Sequence, residues 1–124
     1  MKILFIIPSF LLIISAVQAG SVDGRAILCK SSKQIDQDNP WRGYYFEKGQ
    51  VFSLHIHGYD TIKIKLGNYS YSGGTKYIVW GRYRQTLDRK TLKLNDATCS
   101  LSSKVRIKNF LNEIIAKAKI ENKL

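Results

Sequence analysis

The chain has 124 residues, of which 20 are Lys or Arg and 9 are Asp or Glu, for a net charge of +11. That length suits a single domain and excludes a multidomain enzyme. The positive balance favours anionic partners: nucleic acid, lipid headgroups, polyanionic glycans or acidic protein surfaces.

In chain order, Met1-Lys2 forms a short positive segment and Ile3 to Ile14 an apolar run interrupted by Pro8 and Ser9. Ser15-Ala16-Val17-Gln18-Ala19 then offers small or compact residues where a signal peptidase reads. This three-part pattern predicts a cleavable export signal over residues 1–19. The run is shorter than the ~20 consecutive apolar residues of a membrane span and lacks a basic stop-transfer cluster. The rest, 20–124, is expected to be one exported domain, still basic once Lys2 is lost. The short signal and the Lys- and Ile-rich composition suggest the bacterial periplasm, with an extracellular site as the alternative.

Cys29 and Cys99 are the two cysteines. An even pair in an exported chain is expected to join. Closing so long a loop stabilises by roughly 4 kcal/mol in the chain-entropy model. A metal site at these cysteines would need further ligands, and none lies near either in sequence.

Arg25 to Lys30 reads as a compact apolar strand, and the polar stretch Ser31 to Pro40 as a loop. Gly43 to Glu47 sets Tyr44 and Phe46 on one face, Tyr45 and Glu47 on the other, and Lys48-Gly49 is a turn signal. Val51 to His57 is expected to point Phe52, Leu54 and Ile56 inward, with Ser53, His55 and His57 outward. Thr61 to Leu66 repeats the scheme, with Ile62, Ile64 and Leu66 inward and Lys63 and Lys65 outward. Such alternation predicts a sheet with one dry and one wet face. Gly67 opens a tyrosine-rich stretch with Tyr69 and Tyr71 in phase. Gly73-Gly74 is a turn, Lys76 to Tyr83 a strand, Thr86 to Leu94 a bent segment and Ala97 to Leu101 the strand of Cys99. Together these predict a mainly β fold: a small antiparallel sheet or barrel of about seven strands, its ends tied by the disulfide.

The period then changes. Ser102 or Ser103 can cap a helix over about 103–121. Ile107, Phe110, Leu111, Ile114, Ile115 and Ala118 share one of its faces, with Glu113 and Lys117 as an i,i+4 pair. The stripe can cover the domain's own sheet, or lie on a membrane surface or a partner.

Residues able to carry chemistry are few. His55 and His57, two apart on a strand, share a face and supply two corners of a zinc site; a third ligand would have to come from a residue such as Glu47. No metal and no cofactor is expected. Glu47, His55, His57 and Lys63 are also the candidates for an RNase-like hydrolase of a phosphate-bearing substrate, and the same residues read equally well as ordinary strand alternation. No nucleophile motif, phosphate-cradling loop or nucleotide fingerprint is present. Seven tyrosines, with Trp41 and Trp80, are interleaved with Arg42, Arg82 and Arg84. They suit a stacking platform for bases or sugars, or a protein interface. Asn68-Tyr69-Ser70 fits a glycosylation acceptor, relevant only in a eukaryotic pathway.

Two resemblances follow from particular residues. The order of export signal, Ile27-Leu28-Cys29, a Trp-bearing strand, Leu87-Asp88-Arg89-Lys90-Thr91-Leu92-Lys93-Leu94 and Cys99 resembles small exported bacterial β-domain proteins of unknown function. Ser72-Gly73-Gly74-Thr75-Lys76-Tyr77 with Trp80-Gly81 is similar to a Ser-Gly-x-x-x-Tyr…Trp pattern in periplasmic inhibitors of C-type lysozymes. That similarity implies a small barrel whose loop residues Ser72 and Lys76 reach into a lysozyme cleft. The reading from the residues themselves is an exported, non-enzymatic binding module. Its expected partner is a protein or polyanionic ligand of the envelope, with Arg82 and Arg84 as candidate contacts, joined by Ser72, Lys76 and Tyr77, which the resemblance to the inhibitors implies. Nucleic acid, or a membrane surface met by the terminal helix, is the alternative.

Overall fold

A computed structural model describes residues 21–32 and 39–121; the export signal expected over 1–19 lies outside the described residues. Eight strands follow one another: β1 (Ala26–Ser31), β2 (Trp41–Glu47), β3 (Gln50–His57), β4 (Asp60–Ser72), β5 (Tyr77–Trp80), β6 (Gln85–Asp88), β7 (Lys93–Leu94) and β8 (Ala97–Ser102). Each pairs antiparallel with the next, and β8 pairs with β1 to close a barrel. A single helix, α1 (Lys104–Glu121), follows. Strands β1, β3, β5 and β7 finish at one end, called the mouth; the opposite end is the base.

The strand number corrects the expected seven. Leu66 and Gly67 do not end a strand: β4 continues through a bulge, Val51 pairing with Gly67 and Phe52 with Lys65. An extra residue at a bulge is absorbed by a local bend rather than a break. Thr86 to Leu94, conversely, divides into β6 and β7. There Asp88 Oδ1 accepts hydrogen bonds from the Lys90 and Thr91 amides at 2.9 and 3.1 Å, which stabilises the turn.

At the base, Lys48 and Gly49 both have positive φ, 51° and 75°, the requirement of a two-residue type I′ hairpin. The Asp23 carboxylate ties this turn down, accepting from the Gly49 amide at 3.0 Å and from the Tyr69 hydroxyl at 2.7 Å. Cys29 lies directly opposite Cys99 and is bonded to it, so the bridge staples β1 to β8 where the barrel closes.

There are two apolar layers, not one. The lumen holds Ile27, Val51, Ile78, Leu87 and the disulfide, with an aromatic cluster of Tyr44, Phe46 and Trp80 at centroid distances of 5.6–5.7 Å. The second layer lies outside, where α1 covers Ala26, Tyr45 and Leu54 with Ile107 and Leu111. This layer corrects the expected side-chain directions. Phe52, Leu54 and Ile56 face the helix, whereas Val51 and Ser53 of the same strand are buried inside. Across the β3–β4 ladder, Lys63 is opposite Leu54 and Lys65 opposite Phe52, while Ile62 and Ile64 are opposite His55 and Ser53. Residues facing one another across a ladder share a side, so the apolar sets of β3 and β4 lie on opposite faces.

Ser103 caps α1: its Oγ accepts from the Arg106 amide at 3.2 Å. Ile107, Leu111 and Ile115, four residues apart, are its buried stripe, and Phe110 meets Trp41 edge to face at 5.0 Å. The helix thus spends its apolar face on the barrel wall. No helix among the described residues is long and apolar enough to cross a membrane.

Candidate binding site at the mouth of the barrel

A cavity of about 410 Å³ opens at the mouth. Its lining includes Cys29 and Tyr44 below, Trp41, Arg42 and His55 on the β2–β3 side, and Gln85 and Asn95 opposite. The volume falls in the range of small-molecule sites. Its existence follows from the pattern of β2: Arg42 alternates in phase with Tyr44 and Phe46, so the strand that plugs the lumen with aromatics carries a guanidinium at its upper end. β3 does the same with Ser53 and His55.

The polar groups are held in place. Asn95 Nδ2 donates to Gln85 Oε1 at 2.8 Å, joining the β7–β8 turn to the start of β6 at the rim. The Trp41 amide donates to Asn39 Oδ1 at 3.2 Å, and the Lys30 ammonium sits 5.5 Å from the Trp41 ring centroid. Ser53 Oγ lies 3.5 Å from His55 Nδ1. Burial, then the charges of Arg42 and His57, hold His55 below its ordinary value of 6.5, which favours the neutral imidazole. Burial raises the Tyr44 phenol, while the Arg42 guanidinium lowers it through its charge and a hydrogen bond. Among the lining residues Asp96 is the one carboxylate. In the lumen, Trp80 Nε1 is buried without a hydrogen-bond acceptor among the described residues.

The residues singled out from the sequence are dispersed. His55 and His57 stand on the lumen side of the upper end of β3. Glu47 closes β2 at the base, paired with Gln50, five residues from His55 along β3 and so roughly 17 Å away at ~3.3 Å per residue. Its carboxylate lies 3.9 Å from Lys104 Nζ. Lys63 is on the outer face, 5.0 Å from the Phe52 ring centroid. The acid, base and phosphate-holding groups of the hydrolase reading therefore do not converge, and no three His, Cys, Asp or Glu side chains among the described residues form a metal-holding group.

The remaining candidates divide between the two ends. Ser72 and Tyr77 are paired at the start of the β4–β5 turn at the base, with the Lys76 ammonium 5.2 Å from the Tyr77 ring centroid. Arg82 and Arg84 lie on the exposed β5–β6 turn at the mouth end. Arg42 and Tyr44 were read from the sequence only as part of a general aromatic and arginine platform, and Gln85 and Asn95 are the residues that sequence reasoning passed over as a site. A cation in phase with two lumen aromatics was the signal for Arg42; the rim amides carried none, because the start of β6 and the separate β7–β8 turn bring them together.

Searches against family models, curated proteins and solved structures found no match to this chain.

Proposed function

We propose that this protein is a non-enzymatic binding module, exported to an oxidising compartment such as the bacterial periplasm, that receives an anionic group of its ligand at the barrel mouth. Arg42 carries the reading: a guanidinium in a preformed cavity, beside a neutral imidazole, an aromatic wall and two side-chain amides. Guanidinium binds carboxylate and phosphate through paired donors, and the amides and Trp41 add orientation rather than charge. The dispersal of Glu47, His55 and Lys63 supports binding over turnover. The disulfide is consistent with export.

The test is a chemical-shift titration of the protein from Gly20 onward with acetate, inorganic phosphate, citrate and adenosine monophosphate. At least one anion is expected to shift the Arg42 and His55 signals saturably. Arg42→Gln is expected to weaken it tenfold or more, with Lys108→Ala as the unaffected control. Absence of any saturable shift at Arg42 rejects the reading, as does His55-dependent cleavage of RNA.

A second reading is lysozyme inhibition through the other end of the barrel. The exposed turn from Gly73 to Lys76, projecting between paired strands with Ser72 at its root, supports it. Ser72→Ala would then abolish inhibition of a C-type lysozyme. The chain's own positive field opposes docking on a cationic enzyme, so the mouth is the preferred site.

A further inference from the structure

The barrel closes through a short seam. β5 joins β4 from Tyr69 to Ser72, while β3 runs along β4 from Asp60 to Asn68. Above Tyr69, therefore, the β4 backbone has a ladder partner on one side alone among the described residues. Its register partner Trp80 ends β5, and Gly81, at φ 80°, turns the chain away. The other side of residues 60–68 has no ladder partner among the described residues, over a length that suits a strand of about six to eight residues. At its start the Thr61 hydroxyl donates to Asn112 Oδ1 of α1 at 3.1 Å.

Both faces of this edge are chemically distinct. Ile62 and Ile64 lie on the lumen side with His55 and Ser53, and Ile64 is 43% exposed. Lys63 and Lys65 lie on the outer side. The turn that leaves the seam carries Arg82 and Arg84 around Tyr83, which is 85% exposed. Charged side chains on an edge strand ordinarily block pairing between copies. Here self-pairing through 61–66 would bring the Lys63 and Lys65 ammonium groups of two copies together, which disfavours it. The same lysines select an incoming strand of opposite charge.

We propose that residues 60–68 of β4 accept an extended acidic peptide segment of a partner protein by strand addition, beside the mouth cavity and independently of Arg42. Backbone hydrogen bonds to this edge supply affinity, and alternate side chains supply specificity. The pattern of the edge sets the pattern of the guest: carboxylates opposite Lys63 and Lys65, apolar residues over Ile62 and Ile64. Nucleic acid can meet the lysines but has no alternating N–H and C=O groups with which to extend a ladder.

The probe is a fluorescent eight-residue peptide alternating glutamate and valine, titrated into the protein from Gly20 onward. Saturable binding is expected, with slowed amide exchange within 60–68. Lys63→Glu/Lys65→Glu is expected to weaken it at least tenfold, whereas Lys90→Glu/Lys108→Glu, equal in charge, weakens it less than threefold. N-methylation of one alternate set of peptide amides should abolish binding and that of the other set should be tolerated, because only one set faces β4. This last comparison uses the unaltered protein and so does not depend on the lysine variant folding. The proposal fails if no binding occurs, if both N-methyl sets behave alike, if a single-stranded oligonucleotide of equal charge competes equally, or if the chain self-associates through this edge.

Discussion

Ile107 of the helix rests directly on Gly43 of β2. A Cβ built on Gly43 would overlap Ile107 Cγ2, and Ile107 is itself fully buried. Gly43 has no positive φ, so the glycine is required by the approach of the helix and not by the backbone. Gly43→Ala is expected to destabilise the fold by about 1–3 kcal/mol through overpacking, and Ile107→Ala by about 2–5 kcal/mol through loss of buried volume. Because the two atoms compete for one space, the double variant should be more stable than the sum of the single losses predicts. Urea unfolding of the four proteins measures this; simple additivity would show that the helix is not seated on Gly43.

The Cys29–Cys99 bond joins directly opposed positions of β1 and β8, 70 residues apart in sequence. Closure at that seam already relies on backbone pairing, so the bridge acts mainly by restricting the unfolded chain. Replacing both cysteines by Ala is expected to cost about 3–4 kcal/mol while leaving the β spectrum intact. The urea midpoint before and after reduction of the natural protein gives a second reading of the same quantity. An unchanged midpoint would contradict it.

The existence of strands, the terminal helix and the disulfide were legible because each has a local signal: alternation, a 3.6-residue stripe, and an even number of cysteines in a chain expected from its sequence to be exported. The facing of β3 was not. Phe52, Leu54 and Ile56 alternate with Ser53, His55 and His57, which separates two sides of a strand but does not say which is the lumen. Where a helix covers the outside of a barrel, both sides of its wall are dry, and an apolar set fits either. The site was hidden for the same reason. His55 looked solvent-facing when its strand was read with one core, and the phase of Arg42 with Tyr44 and Phe46 pointed to the mouth cavity only once that face of β2 was known to be the lumen side.

The environment of His55 makes a pH prediction. Burial, Arg42 and His57 disfavour its charged form, so its folded-state midpoint lies below the 6.5 of the unfolded chain. As pH falls below 6.5 the unfolded state takes up the proton first, and native stability declines towards the folded midpoint and stays lower beneath it. Proton NMR of the imidazole should give a midpoint under 6.5, moving upward in Arg42→Gln and upward again when an anion occupies the mouth. The acid loss of stability should shrink in His55→Gln. A His55 midpoint at or above 6.5 in the ligand-free protein would remove both the prediction and the neutral imidazole assigned to the cavity.

Tyr45 carries the clearest imperfection under the helix. Its ring stacks on Phe52 at 5.0 Å and the Lys104 ammonium sits 4.6 Å from its centroid, so the aromatic body is well used. Its hydroxyl is buried with no hydrogen-bond partner among the described residues, and an unmet buried polar group costs about 1–3 kcal/mol. Tyr45→Phe retains the stack and the cation contact while removing that cost. The variant is therefore expected to gain about 1 kcal/mol, seen as a higher urea midpoint with an unchanged slope. Tyr45→Ala should lose about 3–5 kcal/mol, as for other large aromatic truncations. If Tyr45→Phe is instead destabilised by more than about 1 kcal/mol, the hydroxyl has a partner, and the packing of α1 against β2 has to be redrawn around it.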